Sequence, residues 1–398
     1  MAVAAPYTSS EEEAMILDVV RQLVAEKVAP RAAEIDENGE FPDDLRQLFA
    51  QNDLLGIPFP AEYGGLGGSF VTYVKVVEEI AKACASSSLI VAVQELGALP
   101  ILIGGNEQQK QKYIPKLASG EWVAAYALTE TGSGSDAAGS MRARAEKRGD
   151  KYLLNGTKIF ITHGNVADVV CAFAVTDPAK GANGISAFIL EKTFPGFIVG
   201  KREKKMGIRG SPTVELVFEN CEVPAENLLG QEGEGFKIAM KVLDKSRPGI
   251  AAQALGIAAG ALDFATTYAK ERIAFGKPIG QQQGVGFMLA DMKMEVEAAR
   301  LLVYECARKC DENAPDVSLW AAMCKLKAGD VAMQVTTDAV QVLGGYGYST
   351  EYPVERMMRD AKITQIYEGT QQIQRLVIAR ALVGKWKPPS NGVPDRSS

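Results

Sequence analysis

Two loops combine side chains and bare backbone of the kind that hold a polar ligand. Thr129-Glu130-Thr131-Gly132-Ser133-Gly134-Ser135-Asp136 offers several hydroxyls and free N–H groups, and Gly344-Gly345-Tyr346-Gly347-Tyr348 lets main chain approach a ligand where a long helical pattern closes. Each is weak alone, because such loops are more often plain turns. Gly64, Gly65, Gly67 and Gly68 read as a connection between helices. No G-x-G-x-x-G stands between a strand and a helix, so a Rossmann dinucleotide site has no support. Glu368, taken by itself, reads as a solvated acid near a helix N-terminus, favoured by the helix dipole. Asp244 and Arg247, three apart, read by themselves as a helix-surface ion pair.

Residue counts set other chemistries aside. His163 is the only histidine, so it would have to serve every role in a Ser-His-Asp or Cys-His arrangement. Cys84, Cys171, Cys221, Cys306, Cys310 and Cys324 form no C-x-x-C pair, which fits a reducing compartment rather than a disulfide scaffold. Cys306 and Cys310 could share a helix face but lack partners for zinc, and no metal is expected. A net charge of -6 argues against nucleic acid, which needs clustered Lys and Arg. The basic run Lys201, Arg202, Lys204 and Lys205 reads as a solvated face. Residues 1–8 show no basic region leading into an apolar run, so no secretory signal is expected. Residues 89–103, interrupted by Gln94, Glu95 and Pro100, read as a buried helix too short to span a bilayer, and stable membrane insertion is not expected.

The elements that must position these loops follow from periodicity. Thr8, Ser9 and Ser10 each precede an acid by three, a capping-box signal before Ile16, Val20, Leu23, Val24 and Val28, and a second helical region spans about 71–117. From about 123 the period shortens. Residues 152–154 and 158–162 flank Asn155-Gly156 and read as a hairpin, followed by β-rich runs at 169–176, 185–190 and 214–218. Helical spacing returns beyond Phe236, clearest at Ala321, Cys324, Ala328, Val331, Val335, Ala339 and Val342. The expected fold is α+β: an N-terminal helical domain (1–122), a middle antiparallel β-barrel or sandwich (123–235), a C-terminal four-helix-bundle-like domain (236–388) and a mobile tail (389–398).

Set in this helix–β–helix order, the motifs resemble the acyl-CoA dehydrogenase family over about residues 11–385. The resemblance rests on Tyr126-Ala127-Leu128-Thr129-Glu130 with Gly134-Ser135-Asp136, on Asn155-Gly156-Thr157-Lys158 with Ile161-Thr162, and on Lys205-Met206-Gly207-Ile208-Arg209-Gly210-Ser211. Arg272, Phe275-Gly276, Gln283, Gln341-Val342-Leu343-Gly344-Gly345 and Ile366-Tyr367-Glu368-Gly369-Thr370 complete it. The resemblance implies FAD, with Tyr126, Leu128, Thr129, Phe160, Thr162, Thr370 and Gln372 around its isoalloxazine. It implies that Arg272, Phe275, Gln283, Gln341 and Gly345 reach the adenosine diphosphate of a neighbouring subunit's FAD, and hence a homotetramer, a dimer of dimers.

The same resemblance makes Glu368 the catalytic base. Taking a proton from carbon needs a positioned carboxylate whose pKa burial has raised. The thioester oxygen would be held by the Glu368 N–H and a ribityl hydroxyl of FAD, and the β-hydride would pass to flavin N5. Ser135, Asp244, Arg247, Tyr367 and Gly369 are then implied at the acyl-CoA substrate, and electron-transfer flavoprotein as the electron acceptor. Ser246 stands where some subfamilies carry the base, and serine cannot replace that carboxylate, so isovaleryl-type and long-chain-type membership is weakened. Thr131, Phe160 and His163 stand where many members have proline, tryptophan and asparagine. Residues 86–95 lack the arginine of glutaryl-CoA dehydrogenases, while Leu89, Val91, Ala92 and Val93 favour an apolar acyl chain. An acyl-CoA oxidase and a non-catalytic flavin- or CoA-binding protein are the other readings. The expected compartment is cytoplasm in a bacterium, or the mitochondrial matrix if a presequence was removed.

Overall fold

The computed structural model describes residues 11–384. The capping box expected at residues 8–10 and the tail expected at 389–398 lie outside the described residues.

Six helices come first: α1 (Glu11–Leu23), α2 (Ala32–Asn38), α3 (Asp43–Gln51), α4 (Phe70–Ala83), α5 (Ala85–Gly104) and α6 (Glu107–Ala118). Ser69 Oγ accepts from Thr72 N at 3.0 Å to start α4, and an Asn106/Gln109 capping box starts α6. Extended Cys84 separates α4 from α5. Eight strands follow: β1 (Ala124–Ala127), β2 (Arg144–Arg148), β3 (Lys151–Thr162), β4 (Val169–Val175), β5 (Ile185–Glu191), β6 (Phe197–Arg202), β7 (Thr213–Pro224) and β8 (Leu228–Leu229). The chain then returns to helix in α7 (Gly235–Glu271), with a two-strand turn, β9 (Ile273–Ala274) and β10 (Lys277–Pro278), leading to α8 (Gln283–Asp311), α9 (Val317–Leu343), α10 (Pro353–Ile363) and α11 (Gln371–Val383). Helices α7, α8 and α9 pack on one another, with α10 and α11 laid against α9.

The middle region forms the expected β-domain, and most of its pairings are antiparallel, but its sheet is mixed. Its path is β6-β7-β3-β2-β4-β5-β8, and β1 joins β4 in parallel, as does β2 at Arg144–Val175. Strand β4 is buried on both faces: Val169, Cys171 and Phe173 face the core shared with α5 and α6, whereas Val170, Ala172 and Ala174 face β3 and β7. A strand covered on both sides reads as an unbroken apolar run.

The Asn155-Gly156 hairpin does not form. Strand β3 runs straight through it, with a register shift against β7 at that point. The Asn155 side chain accepts from Asn220 N at 2.8 Å, taking over a ladder position. Gly156 holds φ +146, where a Cβ would lie 2.7 Å from Ala143. The reversal falls at Gly149-Asp150, between the paired Arg148 and Lys151. An Asn-Gly pair serves a bulge and a turn equally well, because both need positive φ.

The N- and C-terminal helices share one apolar core, running from Leu17, Tyr73 and Leu89 to Ile250, Cys324 and Ala361. Close approach makes this possible. Cβ atoms added at Gly256 and Gly260 of α7 would fall 2.4 Å and 2.2 Å from the Glu78 and Lys82 carbonyls of α4. Both α5 and α7 are long and apolar enough to cross a membrane by length and composition; each is mostly buried within the protein. Helix α5 is thus longer than the 89–103 segment suggests, because Ala85, Ser86, Ser87 and Ser88 are buried helix too. In the basic run, Lys205 is not a plain solvated residue: its Nζ donates to Ser211 O at 2.7 Å, and burial pushes its pKa down to about 8.

Candidate active site

Glu368 lies in the loop between α10 and α11, at φ +55. That region is costly for a residue with a Cβ and persists only where surroundings hold it. Several groups hold it here. Arg247 Nε of α7 donates to Glu368 O at 3.3 Å, and Gln374 Nε2 of α11 donates to Glu368 O and Gly369 O at 3.2 and 2.9 Å. Lys325 Nζ of α9 donates to Gly369 O at 2.8 Å. Tyr367 donates to Gln253, whose own amide donates to Ala85 O at 2.9 Å, pinning the loop to α7 and α5. Thr370 Oγ1 accepts from Ile373 N and starts α11, leaving Gln372 exposed.

The Glu368 carboxyl is half-buried and unevenly partnered. Ser246 Oγ donates to Oε2 at 2.6 Å, while Oε1 is buried with no partner. Burial raises its pKa, against the Ser246 hydrogen bond and the charges of Arg247 and Lys325. It is therefore not the solvated acid that Glu368 alone implies. The Glu368 N–H donates to no acceptor among the described residues.

Arg247 is 4% exposed and bonds Asp244 Oδ1 at 3.0 Å, where Ser318 Oγ also donates at 3.1 Å. Arg247 of this pair is inside the helical body and serves the Glu368 loop, whereas Asp244 stays partly exposed.

Strands β1 and β3 bring Tyr126, Leu128, Thr129, Phe160 and Thr162 to one region. Thr129 O accepts from Ile159 N at 2.9 Å, next to Phe160, which has φ +57 and is 60% exposed at a register shift of β3. The Tyr126 hydroxyl is buried without a partner, and burial followed by Glu368 pushes its pKa well up, so this side of the site adjoins the carboxyl. The hydroxyl-rich loop is anchored from beneath. Glu130 accepts from Arg142 N, Ala143 N and the fully buried Lys158, whose Nζ also reaches Leu128 O at 3.1 Å. Ser133 Oγ bonds Asp136 O and Ala137 O, which leaves Ser135 exposed.

A second group lies elsewhere. Arg272 and Gly345 share a cleft of about 590 Å3 with Tyr268, Ile279, Tyr346 and Ser349, and Arg272 stacks 5.5 Å from the Tyr346 ring. Phe275, in the β9–β10 turn at φ +53, is 96% exposed. Gln283 opens α8 and Gln341 is exposed near the end of α9. Tyr268 stands 21 residues along α7 from Arg247, about 30 Å at 1.5 Å per residue. The two groups are therefore well separated along α7, the second near its C-terminal end.

Sequence reasoning named Ser246 only as unable to act as the base and missed its bond to Glu368, and it missed Lys325, Gln374 and the Glu130–Lys158 pairing. Lys325 left a signal: it is a charge beside Cys324 in an otherwise apolar stripe, and it is 1% exposed.

Comparison with known proteins accounts for this arrangement. Residues 10–121, 125–221 and 233–383 match the N-terminal, middle and C-terminal domains of acyl-CoA dehydrogenase. An acyl-CoA dehydrogenase of Bacillus subtilis is 51% identical over 376 residues, covering 94% of this chain and 99% of the relative. Butyryl-CoA dehydrogenase from Megasphaera elsdenii has the same fold, with a TM-score of 0.93, 48% identity and coverage of 95% and 100%. A chain in a structure described as the electron transferring flavoprotein of Acidaminococcus fermentans gives 0.94 and 50%, with coverage of 96% and 100%. The chain belongs to the acyl-CoA dehydrogenase family. It is an oxidoreductase, and membership implies FAD as its cofactor.

Proposed function

We propose that the chain removes one hydrogen from each of the α and β carbons of an acyl-CoA thioester, giving the 2-enoyl-CoA, with Glu368 taking the α-proton. The observation that carries this is the Glu368 carboxyl itself. One oxygen is held by Ser246, and the other is buried and free to receive a proton. Its raised pKa makes the carboxylate a stronger base than a solvated glutamate. The unpaired Glu368 N–H would donate to the thioester oxygen as negative charge develops there. Tyr367 and Gly369 flank that oxygen, and Ser135, Asp244 and Arg247 serve the CoA portion.

The residues present fit FAD. An exposed aromatic face at Phe160 and an orphaned Tyr126 hydroxyl suit a flat ring with a polar edge, and Leu128, Thr129, Thr162, Thr370 and Gln372 would surround it. When bound, FAD accepts the hydride that leaves the β-carbon. The distant Arg272 cleft, with Phe275, Gln283, Gln341 and Gly345, would serve the adenosine diphosphate of a neighbouring chain. A homotetramer is supported by large apolar side chains left in solvent, among them Phe275, Tyr348 and a stripe at seven-residue spacing on α8, Phe287, Met294 and Leu301. Electron-transfer flavoprotein as acceptor is supported by the Acidaminococcus neighbour.

Anaerobic mixing with acyl-CoA thioesters, following flavin absorbance, tests the assignment. Glu368→Gln should slow bleaching by about 10²–10⁴-fold with FAD retained. Bleaching near the unmodified rate would remove Glu368 from the base role.

A further inference from the structure

Among the described residues, buried side-chain polar atoms without a partner belong to Tyr73, Glu95, Tyr126, Glu368 and Gln374. They gather in one place. Gln374 holds the Glu368 loop through its other amide atom. The Tyr73 hydroxyl lies against α7, 2.5 Å from where a Cβ on Gly249 would stand, one turn beyond Ser246. Glu95 comes from the middle of α5, which packs on β1 at Gly97, just before Tyr126 in that strand. Charge on Glu368 acts on Glu95, Tyr73 and Tyr126, and charge on Glu95 acts on Tyr73.

Glu95 is the anomaly in this group. It is 1% exposed, and neither carboxyl oxygen has a partner. Other buried acids here are satisfied: Glu78 accepts from Arg300 and Tyr304, Glu130 from Lys158 and two backbone N–H groups, and Glu13 from Lys75. An unpaired buried carboxyl is costly even when neutral, and leucine at the same helical position would carry no such cost. Stability alone therefore does not explain a glutamate here.

We infer that Glu95, with Tyr73, recognises a neutral hydrogen-bonding substituent, a hydroxyl or oxo group, on the acyl chain whose thioester end lies at Glu368. This rests on the acyl-CoA reading above. Burial first, and then the neighbouring Glu368 charge, push the Glu95 pKa up and favour its neutral carboxyl, a form that both donates and accepts. An oxo group accepts from Glu95 or Tyr73, and a hydroxyl completes a bond in either sense. A distal carboxylate would face two acids. A plain alkyl chain would leave the Glu95 and Tyr73 groups unpaired.

The test compares matched six-carbon thioesters on the FAD-loaded protein: hexanoyl-, 5-hydroxyhexanoyl-, 6-hydroxyhexanoyl- and 5-oxohexanoyl-CoA, each by anaerobic flavin bleaching. The expected result is a kcat/KM at least 10-fold higher for the best polar thioester than for hexanoyl-CoA. That ratio should fall 10- to 100-fold in Glu95→Leu and less in Glu95→Gln. The melting temperature of Glu95→Leu without substrate should rise, because the orphaned carboxyl is gone. A ratio near one in the unmodified protein, a ratio unchanged in Glu95→Leu, or a lower melting temperature overturns the inference. Bleaching by hexanoyl-CoA with no polar preference defeats this inference alone, whereas bleaching by none of the four defeats the acyl-CoA reading with it.

Discussion

Replacing Ser246 by alanine isolates one hydrogen bond at the proposed base. Ser246 Oγ donates to Glu368 Oε2 at 2.6 Å, and the serine is 2% exposed, so water cannot easily take its place. A hydrogen bond to an ionised group contributes about 1.5–3 kcal/mol, mostly to the charged form. At 1.36 kcal/mol per pKa unit, its loss should raise the Glu368 pKa by about 1–2 units. The Arg247 and Lys325 charges, which also lower it, remain. The base works only when ionised, so the rate of flavin reduction should rise with pH through the Glu368 pKa. In Ser246→Ala that rising limb should move about 1–2 pH units upward, costing about tenfold in rate per unit on its acid side. Stopped-flow reduction by a good thioester across pH measures it directly. A limb that stays in place or moves to lower pH would refute the claim that Ser246 tunes Glu368.

Lys158→Met should destabilise the protein by about 3–5 kcal/mol, because it strands the Glu130 carboxylate in the interior; a lower urea midpoint checks this, with faster hydrogen exchange at residues 129–136. His163 is buried against Phe41 and Ser211 and its pKa is pushed down to about 3, chiefly by burial. Its neutral form is therefore the folded form, so the unfolded chain binds the extra proton as pH falls. Stability should be lost from about pH 6.5 downward, by up to about 1.4 kcal/mol per unit from this residue. Urea melts at pH 7 and pH 5 should show a larger loss for the unmodified protein than for His163→Asn.

Much of the fold was legible because helical spacing is a local signal. Ala321, Cys324, Ala328 and Val331 all fall on the buried side of α9. Asn155-Gly156 misled because a bulge and a turn ask the same of the backbone. The parallel β1–β4 pairing left only the unbroken apolar run of β4 as a mark, and that run does not say which strand lies beside it. Glu368 was legible through the motif around it, not through its own type. What fixes it was hidden: Ser246, read only as unable to act as the base, is 122 residues away, and Gln374, one turn into the next helix, does not look unusual where it stands. Glu130 and Lys158 were both within the quoted motifs, yet a charge pair 28 residues apart declares itself only when the strands are laid side by side.

The shared core of the two helical regions also sets the timing of synthesis. Helix α5 is buried nearly all round, and part of its cover is α7; the Gln253–Ala85 bond joining them spans 168 residues. At about 5–20 residues per second, the ribosome needs roughly ten to thirty seconds to supply that partner. For that interval an apolar helix with no polar face waits uncovered outside the exit tunnel, with the β-sheet emerging in between. The nascent chain should therefore engage holding chaperones after α5 emerges and release them once α7 is out, and a ribosome stalled between those points should carry a sticky, protease-sensitive N-terminal segment.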